Sequence, residues 1–176
     1  MELPYNSEML EIRVPVNLHV RFLLSAGTAN FAVLTLHGYG SSPEAMLRLT
    51  RMSVGDGPHI LAMQAPFQHY SGAPGEGEPA YNWGIRQHHA EAVKLHHEMV
   101  DQAILTVEQH AGLSPERILL MGFSQPVGLN YRFLGLHPQR VGAVAGLCGG
   151  VPKDWETGDY APNIATPILH ISRSED

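Results

Sequence analysis

Apolar and polar positions along the chain change period repeatedly, and the changes mark out an alternation of strands and helices. Residues 18–24 begin with alternation and end apolar, turn residues follow, and residues 31–36 resume an apolar run, which predicts two neighbouring strands. Ser42 followed by Pro43 is a helix start, with a hydroxyl able to cap and a proline where its missing N–H costs nothing, and that helix is expected to end before Gly55. Residues 59–64 predict a third strand. Residues 65–83, dense in proline and glycine, are expected to hold no regular element and to form a long surface loop of the kind that often carries function. Between 86 and 111, Val93, Val100, Ile104 and Val107 recur at helical spacing with Ala92, Met99 and Ala103 beside them, which predicts the longest helix, closed by Gly112.

The second half continues the alternation. A turn at Ser114-Pro115-Glu116 precedes a strand over 117–121, a helix from 125 or 126 to 136, a strand over 141–147, an irregular stretch over 149–165 and a strand over 167–171. Strands alternating with helices predict an α/β fold, a mostly parallel sheet with helices on both faces, whose ligands sit at the carboxyl ends of the strands. No internal repeat or linker divides residues 1–176, so a single domain is expected.

Composition narrows the functional classes. A hydrophobic share of 44% with only 16% charged residues, against a usual charged share of about 25%, describes a well-buried globular chain. The net charge of -6 offers no basic surface for a phosphate backbone, which argues against a nucleic-acid partner. The single cysteine, Cys148, excludes an internal disulfide framework and fits a reducing compartment. The first eight residues carry acids and no apolar stretch of a secretory signal, and no apolar run approaches the roughly 18 residues of a membrane span, so a cytoplasmic location is expected.

The segment that carries chemistry is Leu119-Leu120-Met121-Gly122-Phe123-Ser124-Gln125, a buried strand that delivers a serine into a tight turn before a helix. A hydroxyl is a weak nucleophile. Placing it on a strained turn exposes its oxygen to a base and aims the following backbone N–H groups at a developing oxyanion. Read alone, Gly-x-Ser is equally the start of an ordinary capped helix, a far commoner feature.

Three segments together go further. Leu36-His37-Gly38-Tyr39-Gly40, Gly122-Phe123-Ser124-Gln125, and the exit of Ile168-Leu169-His170-Ile171 into Glu175-Asp176 resemble, in order and placement, the signature segments of the phospholipase/carboxylesterase family of α/β-hydrolases, which includes acyl-protein thioesterases and short-chain esterases. The resemblance runs from about Leu18 to Asp176. It implies Ser124 as nucleophile, Asp176 as the acid that orients a histidine, and the backbone N–H groups of Tyr39 and Gln125 as the oxyanion hole. Two departures stand beside it. Pro126 replaces the last glycine of the Gly-x-Ser-x-Gly elbow and discourages the α conformation at Gln125. All eleven histidines precede Asp176, whereas the family's base follows the acid after one more strand, so the chain is expected to be a hydrolase lacking its C-terminal elements and its base.

The remaining candidates have plain structural alternatives. His37 is expected to prop the glycine-rich turn rather than transfer protons. His88, His89, His96 and His97 lack the i, i+4 spacing of helical metal ligands and are expected on a solvated or partly packed face. Cys148 is expected to be a small apolar core residue. Trp83 could line an acyl pocket or anchor the long loop to the core, and His137 and His170 fit capping or surface roles.

The function these readings imply is a serine hydrolase that cleaves small carboxylic esters, thioesters or lysophospholipids through an acyl-enzyme, with no metal or organic cofactor and with a homo-oligomer among the compatible states. The alternatives are a catalytically dead binding or scaffold module with the hydrolase architecture, and an acyl transferase built on the same site.

Overall fold

A computed structural model describes residues 10–73, 75–158 and 164–172. Its centre is a six-stranded sheet in the order β1-β3-β2-β6-β7-β8, formed by β1 (Phe22–Ser25), β2 (Ala32–Leu36), β3 (His59–Met63), β6 (Ile118–Phe123), β7 (Ala143–Leu147) and β8 (Ile168–Ile171). Every neighbouring pair is parallel except β1 with β3. The expected α/β architecture is present. β1 and β2, however, are not adjacent, because β3 lies between them.

Period-two alternation sorts the central strands between two cores. Ala32, Leu34, Leu36, Leu61, Leu120 and Val144 face a cluster closed by α2 (His89–Ala111) and α3 (Val127–Leu136). The intervening Val33, Met121 and Ala145 face Met46 of α1 (Pro43–Val54) on the other side. All five residues of β2 are buried, so truncating Leu34 to alanine is expected to cost about 2–5 kcal/mol.

Helix ends follow their local chemistry. Ser42 Oγ accepts from the Ala45 N–H at 3.3 Å, Pro43 opens α1, and Gly55 takes φ 77° at its end. Gly112 closes α2 in the left-handed conformation, φ 65°, its N–H reaching the Glu108 carbonyl. α2 begins three residues later than the apolar spacing implies, after His88 at φ 55°.

One expectation fails outright. Residues 65–83 are not irregular throughout, because β4 (Phe67–Tyr70) and β5 (Pro79–Asn82) pair antiparallel as a separate hairpin. Proline did not prevent it: Pro66 precedes β4 and Pro79 opens β5, positions where the missing N–H removes no interior bond. The hairpin is stitched to the glycine-rich turn after β2 by an isolated bridge between Ser41 and Tyr81. Among the described residues, no helix is long and apolar enough to cross a membrane.

Candidate active site

β6 is a central strand whose register with β2 and β7 brings its carboxyl end beside theirs. The chain leaves it into Ser124, which sits at φ 60°, a left-handed conformation that costs a non-glycine residue roughly 1–2 kcal/mol. Two bonds hold it there: the Ser124 N–H donates to the Leu147 carbonyl at 2.7 Å, and the Val127 N–H donates to the Ser124 carbonyl at 3.2 Å. Two glycines make room around it. A Cβ on Gly122 would lie 2.7 Å from Asn130 Nδ2, and one on Gly38 would lie 3.2 Å from Phe123 Cδ1 and 3.4 Å from Ser124 Cβ. The serine therefore lies against the turn that carries Tyr39.

That turn is fixed from beneath by His37, whose side chain is buried. Its Nδ1–H donates to the Gly38 carbonyl at 2.8 Å while its Nε2 accepts from the Ala65 N–H at 3.1 Å. Both nitrogens are occupied, which selects one neutral tautomer. Burial lowers its pKa, partly opposed by the Gly38 carbonyl and the charge of Glu44. His37 is thus a strut. Above it the Gly40 N–H donates to the Tyr81 carbonyl at 2.9 Å, whereas the backbone N–H groups of Tyr39 and Gln125 make no hydrogen bond among the described residues. Pro126 precedes α3 at φ -76°, and its carbonyl accepts from the Asn130 N–H at 2.8 Å.

Trp83 joins the two halves of the site. Its indole Nε1–H donates to the His37 carbonyl at 2.8 Å, and its ring packs on His37 and His96 with centroids 5.7 and 5.6 Å away. At 1% exposure it anchors the hairpin to the core and offers no free surface to an acyl chain. The side chain of Gln125, for which the sequence suggests no role, grips the backbone of Trp83 and Gly84. No local signal marks that contact, because its partners lie more than forty residues away. Beside Gly84 an apolar pocket of about 550 Å³ opens between the hairpin and α2, lined by Phe67, Ile85, Ala92 and Leu95 among others.

Other expectations need correction. His96 and His97 are buried, not solvated, because α2 turns that face onto α3: His96 Nε2 lies 3.0 Å from Asn130 Oδ1, and His97 packs against Phe133 and His137. Burial, reinforced by the neighbouring His97, lowers the His96 pKa to about 3; burial, reinforced by His137, lowers that of His97 to about 4. His88 and His89 are exposed. Cys148 is not a core residue: it is exposed at φ 52° just past β7. His170 meets Tyr131, whose hydroxyl lies 2.6 Å from its Nδ1, and burial raises the Tyr131 pKa. Asp176 lies outside the described residues.

The phospholipase/carboxylesterase family model matches residues 23–176. The chain belongs to the phospholipase/carboxylesterase family. Family members are esterase-type hydrolases, and solved structures similar to this chain agree in fold. A Bacillus cereus carboxylesterase superposes with TM-score 0.69 at 15% identity over 89% of this chain and 72% of that one. A carboxylesterase from Mesorhizobium loti gives 0.66 at 16% over 90% and 73%. Arabidopsis thaliana SOBER1 has higher identity, 26%, with TM-score 0.54 over 80% of this chain and 72% of its own. No curated protein sequence matches.

Proposed function

We propose that the site is that of a serine carboxylic-ester hydrolase, with Ser124 as nucleophile and the Tyr39 and Gln125 backbone N–H groups as oxyanion hole. The observation that carries the reading is a left-handed Ser124 together with backbone N–H groups of Tyr39 and Gln125 that have no internal partner among the described residues. Attack by Ser124 Oγ on the carbonyl carbon forms a tetrahedral intermediate whose oxyanion takes bonds from those two donors, worth about 3–4 kcal/mol each in comparable sites. Collapse expels the alcohol or thiol, and water releases the acid from the acyl-enzyme. In this reading the apolar pocket beside Gly84, whose carbonyl the Gln125 side chain holds, takes the apolar part of a small ester or thioester.

The reaction needs a general base, and the described histidines near the sheet are engaged elsewhere: His37 with Gly38 and Ala65, His96 with Asn130, His170 with Tyr131. In this reading the base is a histidine that follows Asp176 in chain order, oriented by that carboxylate. The same engagement favours a second reading, in which these 176 residues bind an ester without turning it over. Labelling by a fluorophosphonate probe and hydrolysis of a short-chain p-nitrophenyl ester, measured on this chain and on a version extended by the family's next strand and histidine, separate the two. Activity in the extended form that Ser124→Ala abolishes supports the hydrolase. No labelling and no turnover in either form leaves the binding module.

A further inference from the structure

Residues 10–20 alternate strictly in polarity over Leu10-Glu11-Ile12-Arg13-Val14 and take part in no strand; among the described residues they make no backbone hydrogen bond. Leu10, Ile12, Val14 and Val16 are 66–83% exposed. A soluble chain that leaves four large apolar side chains and a row of unpaired backbone groups in water presents a strand without a sheet. The segment runs directly into β1, which among the described residues pairs only with β3 and leaves its other edge unpaired.

We propose that residues 10–14 pair antiparallel with the same residues of a second copy of this chain, about a two-fold axis through Ile12. The charges choose this occupant and this register. With Ile12 opposite Ile12, Glu11 faces Arg13 of the partner subunit and Arg13 faces the partner's Glu11, while Leu10 faces the partner's Val14. Moving the axis to Glu11 or to Arg13 sets like charges against each other, and an odd slip puts apolar side chains opposite polar ones.

Pro15 then selects the phase of the ladder. Residues facing one another in an antiparallel pair alternate between exchanging both hydrogen bonds and exchanging none. Proline has no N–H, so residues 11, 13 and 15 take the non-bonded positions and 10, 12 and 14 the bonded ones. Non-bonded positions bring their side chains closer, which is where Glu11 and Arg13 meet. The paired ribbon has one apolar face, of Leu10, Ile12 and Val14 from each copy. Residues 10–14 also form one wall of a groove of about 930 Å³ whose other wall includes Ala90, Glu91 and Lys94 of α2.

Sedimentation of the full chain over a micromolar-to-millimolar series tests this, with far-ultraviolet circular dichroism to verify the fold. The wild type is expected to dimerise with concentration. Glu11→Arg and Arg13→Glu, each placing like charges opposite at two sites, should each weaken the dimer by about tenfold or more, while the double variant should recover to within about threefold of the wild type. Ile12→Asp, which sets two carboxylates face to face on the axis, should leave monomer. A monomeric wild type, a dimer indifferent to the single charge reversals, or a double variant as weak as either single one would overturn the proposal. All three positions are exposed and outside the core, so the variants are expected to fold.

Discussion

The side-chain amide of Gln125 spans the backbone of Trp83 and Gly84, its Oε1 accepting from the Trp83 N–H at 3.0 Å and its Nε2 donating to the Gly84 carbonyl at 2.7 Å. The residue whose own backbone N–H is assigned to the oxyanion is thereby tied to the hairpin exit. Trp83 in turn holds the His37 carbonyl at the foot of the opposing turn. Gln125→Met keeps the volume and loses both bonds, leaving a part-buried N–H and carbonyl unpaired. Urea denaturation should show a loss of about 1–3 kcal/mol. Fluorophosphonate labelling of Ser124, in a form that labels, should slow by about tenfold.

The strain at Ser124 can be measured without any activity. At φ 60° a glycine fits at little cost and an alanine does not, so Ser124→Gly should be about 1 kcal/mol more stable than Ser124→Ala in urea melts. Equal stabilities would mean that the turn is not held in the left-handed region. In a form that hydrolyses esters, Ser124→Ala should lower turnover by about a thousandfold or more, leaving what binding and the oxyanion donors contribute.

Gly146 is the point where Tyr131 crosses β7 to reach His170. A Cβ there would collide with the Tyr131 hydroxyl and approach Val127 Cγ1 to 2.8 Å. Gly146→Ala should cost about 1–3 kcal/mol by overpacking. Because the hydroxyl is the obstacle, adding Tyr131→Phe should cost less in the Gly146→Ala background than in the wild type, a non-additivity that a double-mutant cycle reads directly.

Buried His96 and His97 set an acid limit. Their folded pKa values of about 3 and about 4 lie below the unfolded value near 6.5, so the unfolded chain binds more protons as pH falls. The stability they confer as neutral groups is complete above about pH 6.5 and is lost progressively as pH drops through 5 towards 3. Urea midpoints should therefore fall between pH 6.5 and 5, a window above most carboxylate titrations. The double variant His96→Gln with His97→Gln should show a flatter profile there, and an unchanged slope would place the acid sensitivity elsewhere.

Local signals along the chain determined a good deal. The Ser42-Pro43 start and Gly55 end of α1, the Gly112 end of α2, the buried runs of β2, β3, β6 and β7, and the strand-turn-helix around Ser124 follow from caps, periodicity and proline chemistry within a few residues of each position. The α/β class followed from their alternation. What only the tertiary structure decided depends on contacts between distant residues: β3 lying between β1 and β2, a hairpin inside a stretch rich in proline and glycine, His96 and His97 turned inward by α3, and the grip of Gln125 on Trp83. The apolar stripe of a helix says that one face is buried, but polar residues at its margin are buried or exposed according to where the next helix packs. A histidine accepts either outcome, because its pKa lies close enough to neutrality for burial to hold it uncharged.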